Sequence, residues 1–521
     1  MLLWGGEYRI KLWQIIGFFK SVLSHPSVCF KIAAHFARGF DMAKRISIHG
    51  EWTSHWGFIV AATGSAVGLG NIWKFPYITG QNGGGAFVLA YIFSVLLVAV
   101  PVLIAEVILG RRGKQSPINT MQFLVQEQQQ SRLWVGIGWM GILVGFLILS
   151  YYSVIGGWAL AYIPRLLSGL FSTVGSLPKE QATLFVQGTF THLIEDPERL
   201  LLWHTLFMLM TMGVVARGVQ AGLEQATRFL MPMLFIVLLV LVGYAMSTDK
   251  FMQGVHFMFN ADFHKLFYPN CSPASCEFSG RGVLIALGHA FFTLSLGMGA
   301  MMVYGAYLPK HLSLLKATGV IAFADVMVAI LAGLAIFPIV FSNGLEPNQG
   351  PGLVFNTLPL AFGKMPFGSF FGGLFFVLLV LAAWTSSISL LEPTVAWMVE
   401  TKKFTRVSAT AWAGFCIWLF GLVTIFSFNI WSEVKPLSMF SSFANKTLFD
   451  LLDFVTANIM LPLGGLCIVI FAMWRMRSAD ILEELELPET SKRYKILRFL
   501  MRYVAPIGVL MIFLNAIGVI A

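Results

Sequence analysis

Long apolar runs separated by short polar segments dominate the chain. Ala86 to Leu109, Leu230 to Met246 and Phe367 to Ala383 are near-continuous apolar stretches, and roughly 20 such residues in a helix cross about 30 Å of hydrocarbon. Backbone groups in lipid cannot bond to water, and a barrel would show short alternating segments instead, so the pattern predicts helices. We predict about eleven spans, with centres near Val67, Leu97, Leu147, Met208, Val237, Phe292, Val328, Leu379, Ile417, Pro462 and Leu510.

The composition excludes an ordinary soluble domain. The chain is 57% hydrophobic and only 12% charged, with a mean hydropathy of +0.77, far from the usual soluble balance. Lys and Arg concentrate in alternate loops, which predicts a multi-pass membrane protein with a cytoplasmic N-terminus. The net charge of +10 therefore reflects topology, and because the basic residues form no single face we expect no nucleic-acid partner.

Two regions of the sequence leave alternatives open. Residues 1–50 form a basic N-terminal cytoplasmic extension that resembles neither a signal peptide nor a span; Met42 as the true start and a surface-lying helix are both compatible with it. Cys271 and Cys276 lie in an outside loop where an oxidising periplasm would let them pair, but the sequence does not decide whether they do. Cys416 and Cys467 fall within spans, where a thiol acts as a small apolar filler.

Two predicted spans are interrupted by glycine and polar residues. The first reads Gly64-Ser-Ala-Val-Gly-Leu-Gly-Asn-Ile-Trp-Lys-Phe-Pro76 and the sixth Gly288-His-Ala-Phe-Phe-Thr-Leu-Ser-Leu-Gly-Met-Gly299. Broken helices at matching places in two five-helix halves indicate a midplane site, where half-helix amides face a carboxylate and unwound carbonyls face Na⁺. Close packing of small residues is the alternative, but Asn71 and Lys74 inside the span favour a functional site.

These residues carry a family resemblance. The run Gly64 to Pro76, Asn82-Gly-Gly-Gly-Ala-Phe87, Phe291-Phe-Thr-Leu-Ser-Leu-Gly297 and Thr385-Ser-Ser387 resemble the neurotransmitter:sodium symporter family, bacterial amino-acid transporter type. The resemblance extends from about Trp52 to the end of the chain. It implies an all-α membrane protein with a LeuT-like core of 5+5 inverted repeats, unwound in helices 1 and 6. The ten-helix core would occupy residues 51–474, with a basic linker and the eleventh helix in 475–521.

The resemblance implies two sodium sites. One site would use the carbonyls of Gly64, Val67 and Ala382 with the hydroxyls of Thr385 and Ser386. Hydroxyls bonded back to the preceding helical turn are the alternative for the last two. The other site would combine the Ala66 carbonyl, Asn71, Thr293, Asp325 and the substrate carboxylate.

The family resemblance also predicts whether transport requires chloride. Asp325 stands where several members have Asn, and Ala329 stands where chloride-dependent members have a chloride-binding Ser. A fixed carboxylate could supply the charge that chloride supplies in those members, so we expect no chloride requirement. A purely structural carboxylate is the alternative for Asp325.

The substrate class follows from one position of the resemblance. Carriers of carboxylate-free amines have Asp where this chain has Gly68, which leaves room here for the carboxylate of a small amino acid. That carboxylate would meet amides near Leu69 and Gly70 and the Tyr152 hydroxyl. The resemblance assigns the remaining substrate contacts to Ser65, Ala66, Ile148, Phe292, Thr293, Ser295, Met298, Ser386 and Leu390. This mostly apolar set predicts a neutral hydrophobic or aromatic substrate.

The resemblance also assigns gates. Phe292 and Tyr152 would form an outer lid beneath a Lys74–Asp453 pair, in which Lys offers a single contact where relatives have an Arg fork; a snorkelling Lys74 is the alternative. Trp52, Tyr307 and Glu400 would form the inner latch.

The latch lacks the usual Arg, whose position is taken by His49, so Lys44 or Arg45 are candidate partners. In the fifth span, Gly222 and Pro232 would permit the local unwinding that opens the second sodium site to water.

Other classes fit less well. A membrane enzyme would need a catalytic constellation, and no metal-ligand spacing or nucleophile elbow occurs. A channel would line a continuous pore with polar rings, whereas here the polar residues concentrate at two breaks. A transport-inactive sensor and a carrier of another small zwitterion stay open, as do proton counter-transport and a monomeric or homodimeric state.

His289 lies near the expected chloride region. For its side chain a hydrogen-bonded structural imidazole is favoured over an imidazole that titrates.

Overall fold

The computed structural model describes residues 47–269, 277–347, 352–440, 443–516 and 519. Most of the N-terminal extension, including Met42, Lys44 and Arg45, lies outside the described residues, as do Cys271 and Cys276. Cys416 and Cys467 are free thiols.

The described residues are helical, and nine continuous helices among them are long and apolar enough to cross a membrane. They are span 2 (Gly85–Gly113), span 3 (Arg132–Leu167), span 4 (Pro197–Val215), span 5 (Val219–Met246), span 7 (Leu314–Ser342), span 8 (Gly368–Lys402), span 9 (Arg406–Ser427), span 10 (Leu448–Arg475) and span 11 (Lys492–Asn515).

Two further spans are each broken into halves. Span 1 has an inner half, His55–Ala66, and an outer half made of a π-helical turn, Gly70–Lys74, continued by Phe75–Gln81. Span 6 has an outer half, Arg281–Thr293, and an inner half, Ala300–Ala306. Within the part of the chain that the structure describes, nine continuous and two broken spans confirm the eleven predicted centres and the interruption of the first and sixth.

Short helices connect the spans. They are Pro117–Glu127, Lys179–Ile194, Phe251–Phe259, Phe263–Phe267, Leu358–Lys364 and Ser478–Leu485. The last of these gives the predicted basic linker an acidic face: Glu484 accepts from Arg111 Nε at 2.7 Å, and Asp480 pairs with Arg112 at 2.9 Å. These ion pairs connect the linker to the basic end of span 2.

The centre of the bundle is built on span 8 and on a close contact between spans 2 and 6. The most apolar stretch of span 8 is 83% buried, against 28% in span 11, so span 8 is central and span 11 peripheral. Gly110 of span 2 lies against the Met302 carbonyl, and Gly305 of span 6 lies against Val107. Since neither glycine has space for a Cβ, the two backbones pack directly.

Candidate functional site

The two helix breaks face one another at the middle of the protein. In span 1 the helix ends at Ala66 because Val67 is extended, with φ −76° and ψ 99°. In span 6 the chain after Thr293 passes through positive φ at Ser295, Gly297 and Gly299. Ser295 Oγ donates to the Ser65 carbonyl at 2.7 Å, which joins one break to the other.

A small cavity lies between the breaks. It is lined by Ser65, Ala66, Gly68, Leu69, Gly70, Ile148, Tyr152, Phe292, Thr293, Ser295, Met298 and Ser386. Every residue that the sequence assigned to the substrate is present except Leu390, which lies outside the lining with its carbonyl against Gly145. The cavity measures about 20 Å³, about the space of one water, so a larger molecule must push its walls apart.

Gly68 is tightly packed in the wall of the cavity. A Cβ at this position would lie 2.5 Å from Ser386 Oγ and 3.0 Å from the Tyr152 hydroxyl oxygen. The Tyr152 oxygen accepts a hydrogen bond from the Leu69 amide at 3.2 Å. The glycine therefore lets the unwound backbone of span 1 reach the tyrosine of span 3.

Beside the cavity, a buried polar cluster forms around Asp325 of span 7. Its Oδ1 accepts from Asn71 Nδ2 and Thr293 Oγ1, both at 2.8 Å, and its Oδ2 accepts from the Tyr91 hydroxyl at 2.8 Å. Asn71 Oδ1 in turn accepts from the Gly68 amide at 3.1 Å. The three side chains predicted for the first sodium site are thus brought together, and all are buried.

Tyr91 was missed by the sequence reasoning. It lies in an unbroken apolar stretch of span 2, where one more aromatic residue gives no polar signal. Nearby, the His289 ring packs on Phe75 and Tyr91, with centroid distances of 5.8 and 5.3 Å. Within the described residues neither ring nitrogen has a hydrogen-bond partner. The expectation of a hydrogen-bonded structural imidazole at His289 is therefore wrong; the ring is held by aromatic packing.

A second group of oxygens lies on the other side of the cavity. Ser386 Oγ is 3.4 Å from the Gly64 carbonyl and 3.5 Å from the Val67 carbonyl. Thr385 Oγ1 bonds back to its own helix, at 3.1 Å from the Ala382 carbonyl. The five groups predicted for the second sodium site are therefore grouped between spans 1 and 8, with Thr385 in the back-bonded arrangement and Ser386 directed across to span 1.

Toward the outside the cavity is covered by Phe292, beneath a vestibule of about 340 Å³. Lys74 and Asp453 both line this vestibule, together with Tyr151, Trp158 and other aromatic residues. Among the described ion pairs none joins Lys74 to Asp453; the Lys74 ammonium lies over the Phe292 ring, 4.8 Å from its centroid. The outer pair expected from the sequence is open in this conformation, because the lysine contacts the lid aromatic instead.

Toward the inside the protein is closed. The Trp52 amide donates to the Tyr307 carbonyl at 3.0 Å, and the Trp52 indole donates to the Tyr304 carbonyl at 3.0 Å. His49 Nε2 lies 3.1 Å from Glu400 Oε1, with both side chains nearly inaccessible. His49, at the position where the resemblance expects an arginine, thus contacts Glu400 of the predicted inner latch directly.

The sequence reasoning also missed three acidic residues that lie next to the inner latch and the helix breaks. Glu392 of span 8 accepts from the Tyr307 hydroxyl at 2.7 Å and pairs with Arg406. Glu106 of span 2 accepts from the Gly297 amide at 3.0 Å, and Glu224 of span 5 is 2% exposed. Each is an acidic residue within an apolar span, a signal that marks functional candidates, although it does not identify the partner.

Span 5 is fully wound in this conformation. Val219–Glu224 forms a π-helical turn that contains Gly222, and Gln225–Met246 continues as an α-helix through Pro232. A Cβ on Gly222 would collide with the Val214 carbonyl of span 4. In this conformation the vestibule side is thus open, and the side of Trp52 and Glu400 is closed.

Two broken helices facing each other around a midplane cavity define a secondary transporter of the inverted-repeat type. The model of the sodium:neurotransmitter symporter family matches residues 49–175 and 179–520. A sodium-dependent transporter of Bacillus subtilis, YhdH, is 36% identical over 473 residues, covering 90% of this chain and 98% of the relative. One from Haemophilus influenzae is 31% identical over 467 residues, covering 89% and 97%.

Solved structures agree with the family match. The crystal structure of MhsT in complex with L-phenylalanine superposes with a TM-score of 0.78 at 38% identity, covering 90% of this chain and 99% of that one. The chain belongs to the sodium:neurotransmitter symporter family, and it is a multi-pass, sodium-dependent transporter with a LeuT-like fold.

Proposed function

We propose that this protein imports neutral hydrophobic or aromatic L-amino acids together with Na⁺ by alternating access, without a chloride requirement. Its place would be the bacterial inner membrane, with the N-terminus in the cytoplasm. The observation that carries this proposal is the position of Thr293. Its hydroxyl bonds to Asn71 and Asp325, and the same residue lines the cavity. An ion held by the Asp325 cluster would therefore lie next to the carboxylate of the bound substrate.

The walls of the cavity support a neutral, apolar substrate. None of the lining residues carries a charged side chain, and Ile148, Phe292 and Met298 are among its apolar walls. Burying an unpaired charge there would be strongly unfavourable. Methionine can adapt its shape to differently sized side chains, and Phe292 is only partly buried, so both can move to enlarge the small cavity. The phenylalanine bound in MhsT is of the class that these walls favour.

The oxygen groups support two sodium sites. At the first, the Ala66 carbonyl, Asn71, Thr293 and Asp325 would coordinate Na⁺ together with the substrate carboxylate. At the second, the carbonyls of Gly64, Val67 and Ala382 and the hydroxyls of Thr385 and Ser386 would do so. Oxygen ligands suit a hard cation, and among the described residues no cluster of His, Cys, Asp and Glu suggests a transition metal.

The buried carboxylate supports chloride independence. Asp325 brings a fixed negative charge into the region where Tyr91, His289 and Ala329 lie, and its Oδ2 already accepts the Tyr91 hydroxyl. That charge would balance a bound sodium ion, which is the role that chloride would otherwise have.

The test is uptake of labelled L-phenylalanine by purified protein in proteoliposomes. We expect accumulation with an inward Na⁺ gradient, none when K⁺ or choline replaces Na⁺, and full activity when gluconate replaces chloride. Competition by a panel of amino acids would identify the preferred side chain. Sodium-dependent binding without accumulation would indicate a sensor and overturn the transport proposal, and loss of uptake in gluconate would overturn its chloride part.

A further inference from the structure

The segment that precedes span 1 is held in place by span 5. We call residues 50–54 the strap. It begins at Gly50, whose φ is +88°, and ends at Ser54, which caps the inner half of span 1 by accepting from the Gly57 amide at 3.0 Å. Gln220 Nε2 donates to the Glu51 carbonyl at 2.9 Å, so the strap is tied to the first turn of span 5.

The strongest attachment is made by Glu224. Its Oε2 accepts from the Thr53 amide at 3.0 Å, and its Oε1 accepts from the Thr53 hydroxyl. The Glu224 side chain is 3% exposed, whereas that of Arg228, which also contacts the carboxylate, is 64% exposed. The buried carboxylate therefore makes the main contact with the strap, and the exposed arginine reaches the Thr53 hydroxyl oxygen only at 3.5 Å.

Gly57 makes this arrangement possible. A Cβ on Gly57 would occupy the position of the Glu224 carboxylate. The carboxylate thus lies directly on the backbone of the inner half of span 1, with no side chain between them. That helix half carries the Gly64 and Val67 carbonyls of the proposed second sodium site.

Glu224 also lies in the stretch of span 5 for which the resemblance predicts local unwinding. It ends the π-helical turn Val219–Glu224 and stands between Gly222 and Pro232. Unwinding between those two residues would rotate or withdraw the carboxylate, and its bonds to Thr53 would break.

We propose that Glu224 is a positioning residue that couples span 5 to the inner half of span 1. While span 5 is wound, the carboxylate holds the strap and keeps the inner side shut; when span 5 unwinds, the strap is released. Unwinding and inward opening are then one event. This inference rests on the proposed alternating-access function.

The test uses a thiol placed between the two helices. The Met231 side chain of span 5 is buried and lies against Gly64. Met231→Cys, in a chain whose five native cysteines are replaced by serine or alanine, should react with an impermeant thiol reagent from the cytoplasmic side only when the two helices separate. Labelling rates are measured in inside-out vesicles with Na⁺ and with K⁺.

Two matched pairs of variants separate coupling from general destabilisation. Glu224→Gln and Thr53→Val should each raise the labelling rate of Cys at position 231 by on the order of tenfold, because charge-assisted hydrogen bonds are lost. Arg228→Gln should change it by less than about twofold, as expected for an exposed ion pair. Thr53→Ser, which retains the hydroxyl, should be labelled as slowly as the parent.

Each outcome bears on a different statement. Equal labelling of the parent with Na⁺ and K⁺ would argue against sodium-driven closure. In that case the labelling rate of Glu224→Gln relative to that of Arg228→Gln would still test the coupling. Equal effects of Glu224→Gln and Arg228→Gln, or failure of Thr53→Ser to restore slow labelling, would overturn the role of Glu224.

Discussion

Asn71 and Asp325 are joined twice: Asn71 Nδ2 donates to the Asp325 side chain at 2.8 Å and to its backbone carbonyl at 3.0 Å. This double contact ties the unwound part of span 1 to the middle of span 7. Because the amide has only two hydrogens and both are used, Asn71 has a single orientation, with its oxygen turned toward Gly68 and Thr293.

Asp325→Ala should weaken sodium and substrate binding together. It removes the acceptor for Tyr91, Asn71 and Thr293, and charge-assisted bonds contribute about 1.5–3 kcal/mol each. We expect the Na⁺ concentration for half-maximal uptake to rise at least about tenfold. Sodium titrations of phenylalanine uptake would measure this, and an unchanged titration would remove Asp325 from the site.

Asp325→Asn is the matched variant for charge, since it keeps the side-chain shape. If the carboxylate substitutes for chloride, this variant should gain a stimulation of uptake by chloride that the parent lacks. Uptake in chloride and gluconate would be compared at equal Na⁺. A variant that binds Na⁺ normally and stays indifferent to chloride would contradict that role of the charge.

Gly68→Ala should lower substrate affinity. The added methyl would lie 2.5 Å from Ser386 Oγ and 3.0 Å from the Tyr152 hydroxyl oxygen, and overpacking of this kind destabilises by about 1–3 kcal/mol. We expect roughly tenfold weaker phenylalanine binding in a direct binding assay. Gly213→Ala, in a helix position with open space around it, is the control and should bind as the parent does.

His49→Ala should loosen the inner side. The imidazole contact with Glu400 is buried, while Ser116 and Asn119 also donate to the same carboxylate, so the latch should weaken and not disappear. We expect a several-fold faster efflux of substrate from loaded inside-out vesicles, from the loss of about 1 kcal/mol. His49→Arg should reverse the effect; equal efflux in all three proteins would show that this contact does not limit opening.

Lys74→Arg should slow release of substrate to the outside. The guanidinium fork can bind a carboxylate through two bonds, which the ammonium cannot, so closure onto Asp453 becomes more favourable. Dissociation of labelled phenylalanine from outward-facing protein would be followed by dilution. In Asp453→Asn protein the same substitution should have no such effect; slowing in both backgrounds would assign the effect to the Phe292 ring contact instead.

The spans and the breaks could be predicted because their signals are local. Apolar length and clustered glycines lie within single segments, and the family resemblance adds the cavity residues around them. The partners of Tyr91, Glu224 and Glu392 could not be predicted this way, since Tyr91 and Asp325 are 234 residues apart and Thr53 and Glu224 are 171 apart. Such pairs exist only once the helices have packed.

The conformation could not be read from the sequence either. Lys74, Asp453, His49 and Glu400 are present whether a gate is open or closed. In the folded protein the lysine contacts Phe292 while the histidine contacts Glu400. Similarly, residue types give no cavity volume, because the volume depends on how far the walls of Tyr152, Phe292 and Ser386 approach one another.

The direct backbone contact at Gly110 and Gly305 limits which helices can slide during the cycle. At these two glycines the main chains of spans 2 and 6 touch directly, so a rotation of one span there would drive main chain into main chain. Relative motion must therefore occur at the contacts that these two spans make with other helices through side chains.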